Sequence, residues 1–315
     1  MSKQVFQSEL FRKLVFIAGI IFCLSPFASP PVGLVLGFLL SQLIGNPFQS
    51  KTPKATKLLL QICVVGLGFG MNLTEAAKAG REGFAFTVAS IGLTLLLGIL
   101  AGKFFKIDKK ITFLISVGTA ICGGSAIAAI SPIIEAEEEQ MSVSLGTVFI
   151  LNAIALFIFP VIGTCLAMAQ SDFGLWVAIA IHDTSSVVGA AQKYGVEALQ
   201  IATTIKLERA LWIIPVSFIT AIVFKSKASK INIPYFIFLF ILAMTLNTYI
   251  PQLHEAGQII VTCAKRGMIV TLFLIGIGLS REALKRVGWK PLLLGVLLWI
   301  FISLGSLAVI CHLGN

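Results

Sequence analysis

Residues 182–186 read HDTSS inside a run otherwise apolar enough to cross a bilayer. An ionisable Asp183 beside His182 at bilayer depth is costly unless it faces water, a partner or a substrate. Thr184, Ser185 and Ser186 place three hydroxyls next to that pair. A second cluster, Cys122, Gly123, Gly124 and Ser125, interrupts another apolar run, TAICGGSAIAAISP at 119–132. Glycine tolerates the dihedrals of an unwound helix, and hydroxyls supply substitute hydrogen bonds there. Where a helix unwinds in the membrane, freed amides and the positive end of the resuming half-helix converge on one spot. That makes an anion site, or with carbonyls a cation site, without a dedicated charge. Lone Ser or Gly residues in membrane helices more often serve packing, which covers either Gly of GGSA taken alone but covers HDTSS badly.

Charges within the apolar runs are biased: Lys57, Lys206, Arg209, Lys265 and Arg266 against Asp183 and Glu208. A net positive interior points to an anionic substrate. Lys206 and Arg209, three apart, share a helix face, and the guanidinium suits bidentate contact with an oxyanion. A structural ion-pair network with Glu208 explains either residue equally well. Lys265 completes the candidate set, and Lys57, near the end of its run, is expected to snorkel. Asn152 and Gln61 read as interhelical hydrogen bonds or as further lining of a polar cavity. Pro160 and Pro215 are expected to kink their helices.

These residues must be positioned by a chain of 315 residues that is 57% hydrophobic and 12% charged, with a mean hydropathy of +0.97. That composition dictates an all-α polytopic membrane protein embedded in a lipid bilayer. Eleven apolar spans are predicted, at 14–29, 31–45, 55–71, 82–101, 111–134, 142–164, 172–191, 199–224, 232–250, 258–279 and 289–311. With the N-terminus inside, the cytoplasmic segments hold Lys3, Arg12, Lys13, Lys51, Lys54, Lys103, Lys106, Lys109, Lys110, Lys225, Lys227, Lys230, Arg281, Lys285, Arg286 and Lys290, against only Lys78, Arg81 and Lys193 opposite. This positive-inside bias predicts a cytoplasmic N-terminus and an external C-terminus. It also puts the acidic run Glu135, Glu137, Glu138 and Glu139 outside. The net charge of +10 is therefore topological and gives no reason to expect a nucleic-acid partner. Six cysteines lie in or beside the apolar runs without metal spacing, so no metal site and no disulfide is expected.

An internal repeat links residues 57–80, KLLLQICVVGLGFGMNLTEAAKAG, with 265–288, KRGMIVTLFLIGIGLSREALKRVG, at an offset of 208. Lys57 falls on Lys265, Gly68 on Gly276, Gly70 on Gly278, Asn72 on Ser280 and Gly80 on Gly288. These copies sit in spans three and ten and run antiparallel, as in an inverted-repeat transporter. On this reading 31–101 and 232–311 are related three-helix units, and 111–224 carries the substrate site, within one integral domain over 1–315. A weaker match at an offset of 60 sets AICGGSAI, 120–127, on AIHDTSSV, 180–187. Those two spans are parallel on an eleven-span count, so either the likeness is convergent or the count is wrong there.

GLGFGMNLTEAAKAG, TAICGGSAIAAISPII with its acidic loop, HDTSSVVGAA followed by KLERALWIIPV, and GIGLS with GWKPLLLG together resemble the YeiH-like family of bacterial inner-membrane proteins, described as sulfate exporters. The likeness covers nearly the whole chain. More distantly, the G-x-G-L helix end and the Gly-rich mid-helix motif are similar to the bile-acid/sodium symporter and sodium/proton antiporter fold. That resemblance implies broken, crossing helices, with Gly123, Gly124 and Ser125 at one break and Asp183, Thr184, Ser185 and Ser186 at another. It also implies a panel domain that forms a homodimer contact.

The expected function is secondary active transport of a small anion of sulfate, sulfonate or carboxylate type by alternating access in the bacterial inner membrane. Coupling is to protons or sodium, and no other cofactor is expected. An anion channel is the alternative. A membrane-embedded enzyme is a weaker one, because His182, Asp183 and the serines crowd one short segment where a triad must converge from several directions. No Walker A motif and no H-E-x-x-H motif occur.

Overall fold

The computed structural model describes residues 9–224, 235–279 and 287–313, all helix and connecting turns. Ser280, Arg281, Lys285 and Arg286 of the second repeat copy lie outside the described residues, as do Lys3, Lys225, Lys227 and Lys230 of the orientation count. In chain order the helices are α1 (Glu9–Leu24), α2 (Pro30–Leu43), α3 (Thr52–Gly68), α4 (Leu73–Phe104), α5 (Lys109–Ala120), α6 (Gly124–Ile130) and α7 (Glu138–Cys165). They continue as α8 (Gln170–Ala180), α9 (Thr184–Tyr194), α10 (Val196–Leu211), α11 (Ile213–Val223), α12 (Tyr235–Tyr249), α13 (His254–Gly278) and α14 (Trp289–Leu313). Among the described residues, stretches of α4, α7, α13 and α14 are long and apolar enough to cross a membrane; α2 and α12 are shorter apolar helices.

The chain forms two compact units. The first contains α1, α2, α3, α12 and α13. Here α13 is central. Gly33 and Gly37 of α2 lie against Ile269 and Phe273, so α2 runs parallel to α13. Gly37 is required by contact: a methyl group there would collide with the backbone of Phe273. On α3, Cys63 meets Gly267 and Gly66 meets Ala264, and just beyond its end Gly70 meets Val261, so α3 and α13 are antiparallel. Phe16 of α1 packs edge-on against Phe273, with ring centroids 5.7 Å apart. Arg266 donates to the carbonyls of Ser25 (2.9 Å) and Ala28 (3.4 Å), which occupies this cation with the backbone beyond α1.

The second unit holds most of α4, then α5–α11 and α14. Its defining feature corrects the eleven-span reading: 111–134 and 172–191 are not spans. Lys110 Nζ, at the start of α5, donates to the carbonyl of Glu135, beyond the end of α6, over 2.7 Å. Gln140 Nε2, at the start of α7, donates to Asp108, the N-cap of α5, over 3.1 Å. The entry to α5, the exit from α6 and the start of α7 therefore share one end, and α5–α6 is a re-entrant hairpin. The second hairpin, α8–α9, closes in the same way. Tyr194 donates to the carbonyl of Met168 over 2.7 Å, and its ring stacks on Phe173 with centroids 3.7 Å apart.

The physical reason is length. α5 has 12 residues and α8 has 11, so they reach about 18 and 17 Å, little more than half of a membrane's ~30 Å hydrocarbon core. A hairpin and a span of similar total length share the same hydropathy, and composition alone does not separate them. The correction also moves Glu135 to the same end as Lys109 and Lys110, not the opposite one. Pro160 stays within a continuous α7, while the run 199–224 divides at Trp212, three residues before Pro215.

Candidate functional site

The first hairpin turns at Ile121, Cys122 and Gly123. Gly123 has φ 63° and ψ −124°, backbone that side chains with a Cβ rarely adopt. Its amide donates to the carbonyl of Gly118 over 2.8 Å, which closes the end of α5. The second hairpin turns at Ile181, His182 and Asp183. Asp183 caps α9: its Oδ2 accepts from the Ser185 amide at 3.0 Å and from the Ser185 hydroxyl. Asn152, on α7, presents Oδ1 to the amides of His182 (3.1 Å) and Asp183 (3.2 Å).

The two turns meet. A methyl group placed on Gly123 would sit 3.3 Å from the Cα, Cβ and N of Asp183. Because α7 runs from the end shared by the first hairpin to the neighbourhood of the second, the hairpins approach each other from opposite ends.

Both basic residues of α10 are fully buried and bonded to the hairpins. Lys206 Nζ donates to the carbonyls of Ile181 (2.7 Å) and Ala178 (3.3 Å), at the end of α8. Arg209 Nη2 donates to the carbonyl of Ala120, at the end of α5, and Nη1 donates to the Ser90 hydroxyl of α4 over 2.8 Å. Each cation thus lies at the negative end of a half-helix, where it is electrostatically favoured.

Several buried polar atoms around the tips have no hydrogen-bond partner among the described residues. They are both ring nitrogens of His182, Asn152 Nδ2, Arg209 Nε, Thr119 Oγ1 and the carboxylate oxygens of Glu208. Apart from the carboxylate and one nitrogen of a neutral imidazole, these are donors. Buried polar groups in native proteins are nearly always satisfied, so such a concentration is what a bound solute would relieve.

The structure brings Cys122, Gly123, His182, Asp183, Thr184, Ser185, Ser186, Lys206 and Arg209 into one buried region of the second unit. Gly124 is half-buried against Phe149 and Leu145, and Ser125 is exposed. Lys265 belongs to the first unit, half-buried on α13. Ser90 is a partner the sequence reading missed. Its signal is the row Thr87, Ser90 and Thr94, hydroxyls on one face of an apolar helix. Among the described residues no group of three His, Cys, Asp or Glu side chains is placed to hold a metal ion.

Comparison with known proteins gives the family. A family model described as "Conserved hypothetical protein 698" matches residues 14–295. A UPF0324 membrane protein of Bacteroides thetaiotaomicron is 57% identical over 91% of this chain and 87% of its own length. Relatives of the same description from Porphyromonas gingivalis (50% identical; 96% of this chain, 93% of the relative) and Bdellovibrio bacteriovorus (49% identical; 95% and 94%) extend the likeness. No solved structure matches the chain. Their names give a membrane location and no activity. Family model, relatives and apolar helices agree, and the chain is a membrane protein belonging to the UPF0324 family, that of conserved hypothetical protein 698.

Proposed function

We propose that the protein is a secondary transporter that moves a small anion, of sulfate, sulfonate or carboxylate type, across the bacterial inner membrane by alternating access. The observation that carries this reading is the meeting of the hairpin turns at Gly123 and Asp183. Non-helical backbone at membrane depth is tolerated where it is buried in protein or lines a solute cavity, and broken helices near the midplane are how transporters build substrate sites. The unpartnered nitrogen donors of Asn152, Arg209 and His182 are suited to an anion.

An inverted repeat fits this arrangement. With two hairpins in place of two spans, the number of crossings falls by two, and the N-inside, C-outside orientation from the Lys/Arg bias is retained. The offset-60 twins then enter from opposite faces and are symmetry mates, which removes the parallel-span objection. Downstream, ALFIFPV at 155–161 of α7 matches ALWIIPV at 210–216 of α10 and α11. In the same way α3 and α13, the helices of the offset-208 match, pack antiparallel. Each three-helix repeat contributes its first two helices to the first unit and its third to the second.

The substrate contacts proposed are Cys122, Gly123, Gly124 and Ser125 on one turn and His182, Asp183, Thr184, Ser185 and Ser186 on the other, with Asn152 beside them. Lys206 and Arg209 supply positive potential. Protons or sodium supply the coupling. The test is a thermal-shift screen of the purified protein against oxyanions, sulfonates and carboxylates at several pH values, with and without sodium. One anion class should raise the melting temperature saturably, and the rise should disappear in Asn152→Ala. Equal small shifts for every salt of the same ionic strength would reject the reading.

A further inference from the structure

Lys206 and Arg209 sit three residues apart on one face of α10, and each is bonded to a different hairpin. We infer that these two cations are a yoke: they fasten the first halves of both hairpins to a single helix, so that the two turns move as one body and not as independent gates. The inference stands on this bonding and does not depend on what is transported.

A helix end at membrane depth leaves its last carbonyls without intrahelical partners and with no water to satisfy them. α5 and α8 both end this way, at Ala120 and at Ala180–Ile181. In each case the bond comes from α10. Arg209 takes the carbonyl of Ala120, and Lys206 takes those of Ile181 and Ala178. Both side chains are 0% exposed. Arg209 is also tied through Nη1 to Ser90, which anchors the yoke to α4. Displacing either hairpin alone would strand buried carbonyls on one side and a buried cation on the other, the costliest way to break such a pair. Gly123 and Asp183 also pack directly against each other, so the two turns share a contact as well as a helix.

A yoke differs from a pair of anion ligands in what its loss does to the free protein. A native reporter exists: Cys122 lies in the first turn, a free thiol 1% exposed. With Cys23, Cys63, Cys165, Cys263 and Cys311 replaced by Ser, the rate at which a small maleimide labels Cys122 in the purified full chain reports opening of that turn. Lys206→Met, which alters a residue hydrogen-bonded only to the second hairpin, is expected to speed labelling of Cys122 about tenfold; loss of a nearby positive charge by itself makes a thiol less reactive, so faster labelling reports opening of the turn. Arg209→Met is expected to do the same, and Lys206→Arg to restore most of the protection. An unchanged Cys122 rate in Lys206→Met overturns the yoke. If the Met variants do not fold, hydrogen exchange on the unaltered chain decides. The yoke requires the amides of 121–125 and 181–185 to open at one common rate, and clearly separate rates overturn it.

Discussion

Lys110 and Glu135 are joined by a 2.7 Å hydrogen bond from the lysine Nζ to the glutamate carbonyl, although 25 residues and a run of apolar sequence separate them. A straight helix over those residues would hold them about 37 Å apart. The bond therefore states the topology: the chain enters, turns at Cys122 and Gly123, and comes back.

That topology is directly measurable. Single cysteines at Lys109 and Glu137 are expected to react with a membrane-impermeant thiol reagent from the same side, and cysteines at Asp172 and Lys193 from the opposite side. Right-side-out and inverted vesicles give the assignment. Labelling of the Lys109 and Glu137 positions from opposite sides would restore the full span and remove the hairpin.

Gly123 carries the turn through its backbone. Gly123→Ala must place a methyl group 3.3 Å from Asp183 at a φ of 63°, strain of about 1–3 kcal/mol. The variant is expected to unfold at lower temperature than the parent and to lose transport. Gly124→Ala, whose added methyl meets only the side chains of Phe149 and Leu145, is expected to be much milder.

Asn152 holds the second turn. Its Oδ1 accepts two buried amides, and Asn152→Ala leaves both without an acceptor, at about 1–3 kcal/mol each. Thermal unfolding in detergent should show a large drop. Asn152→Asp retains the acceptor oxygens, so it should keep more of that stability than Asn152→Ala does.

The mouth of the second hairpin is held by Tyr194. Tyr194→Ala removes both the stack on Phe173 and the bond to Met168, a combined loss of about 2 kcal/mol. Tyr194→Phe loses only the hydrogen bond, about 1 kcal/mol. The ordering of melting temperatures, parent above Phe above Ala, checks the contribution of each.

The two turns of the candidate site were legible in the sequence, because polar residues at membrane depth are expensive and therefore informative. GGS and HDTSS mark the two turns, and the structure breaks its helices at both. What the sequence concealed was direction. A half-length helix that turns back has the same composition as one that continues, and the deciding bonds, Lys110 to Glu135 and Tyr194 to Met168, are tertiary. The likeness of 120–127 to 180–187 conflicted with parallel spans, and two hairpins that enter from opposite ends do not carry that conflict. The basic residues also meet a second need. Lys206, Arg209 and Arg266 are bonded to backbone carbonyls at helix ends, a need that hydropathy does not register.

On the proposed function an anion passes by way of the two hairpin turns. The most direct measurement is uptake of labelled sulfate, a small sulfonate and a small carboxylate into proteoliposomes under an imposed proton or sodium gradient. Saturable, gradient-dependent uptake of one of them, abolished by Asp183→Asn, is the predicted result. Uptake that never exceeds protein-free vesicles, or that is unsaturable and indifferent to Asp183→Asn, would contradict the account.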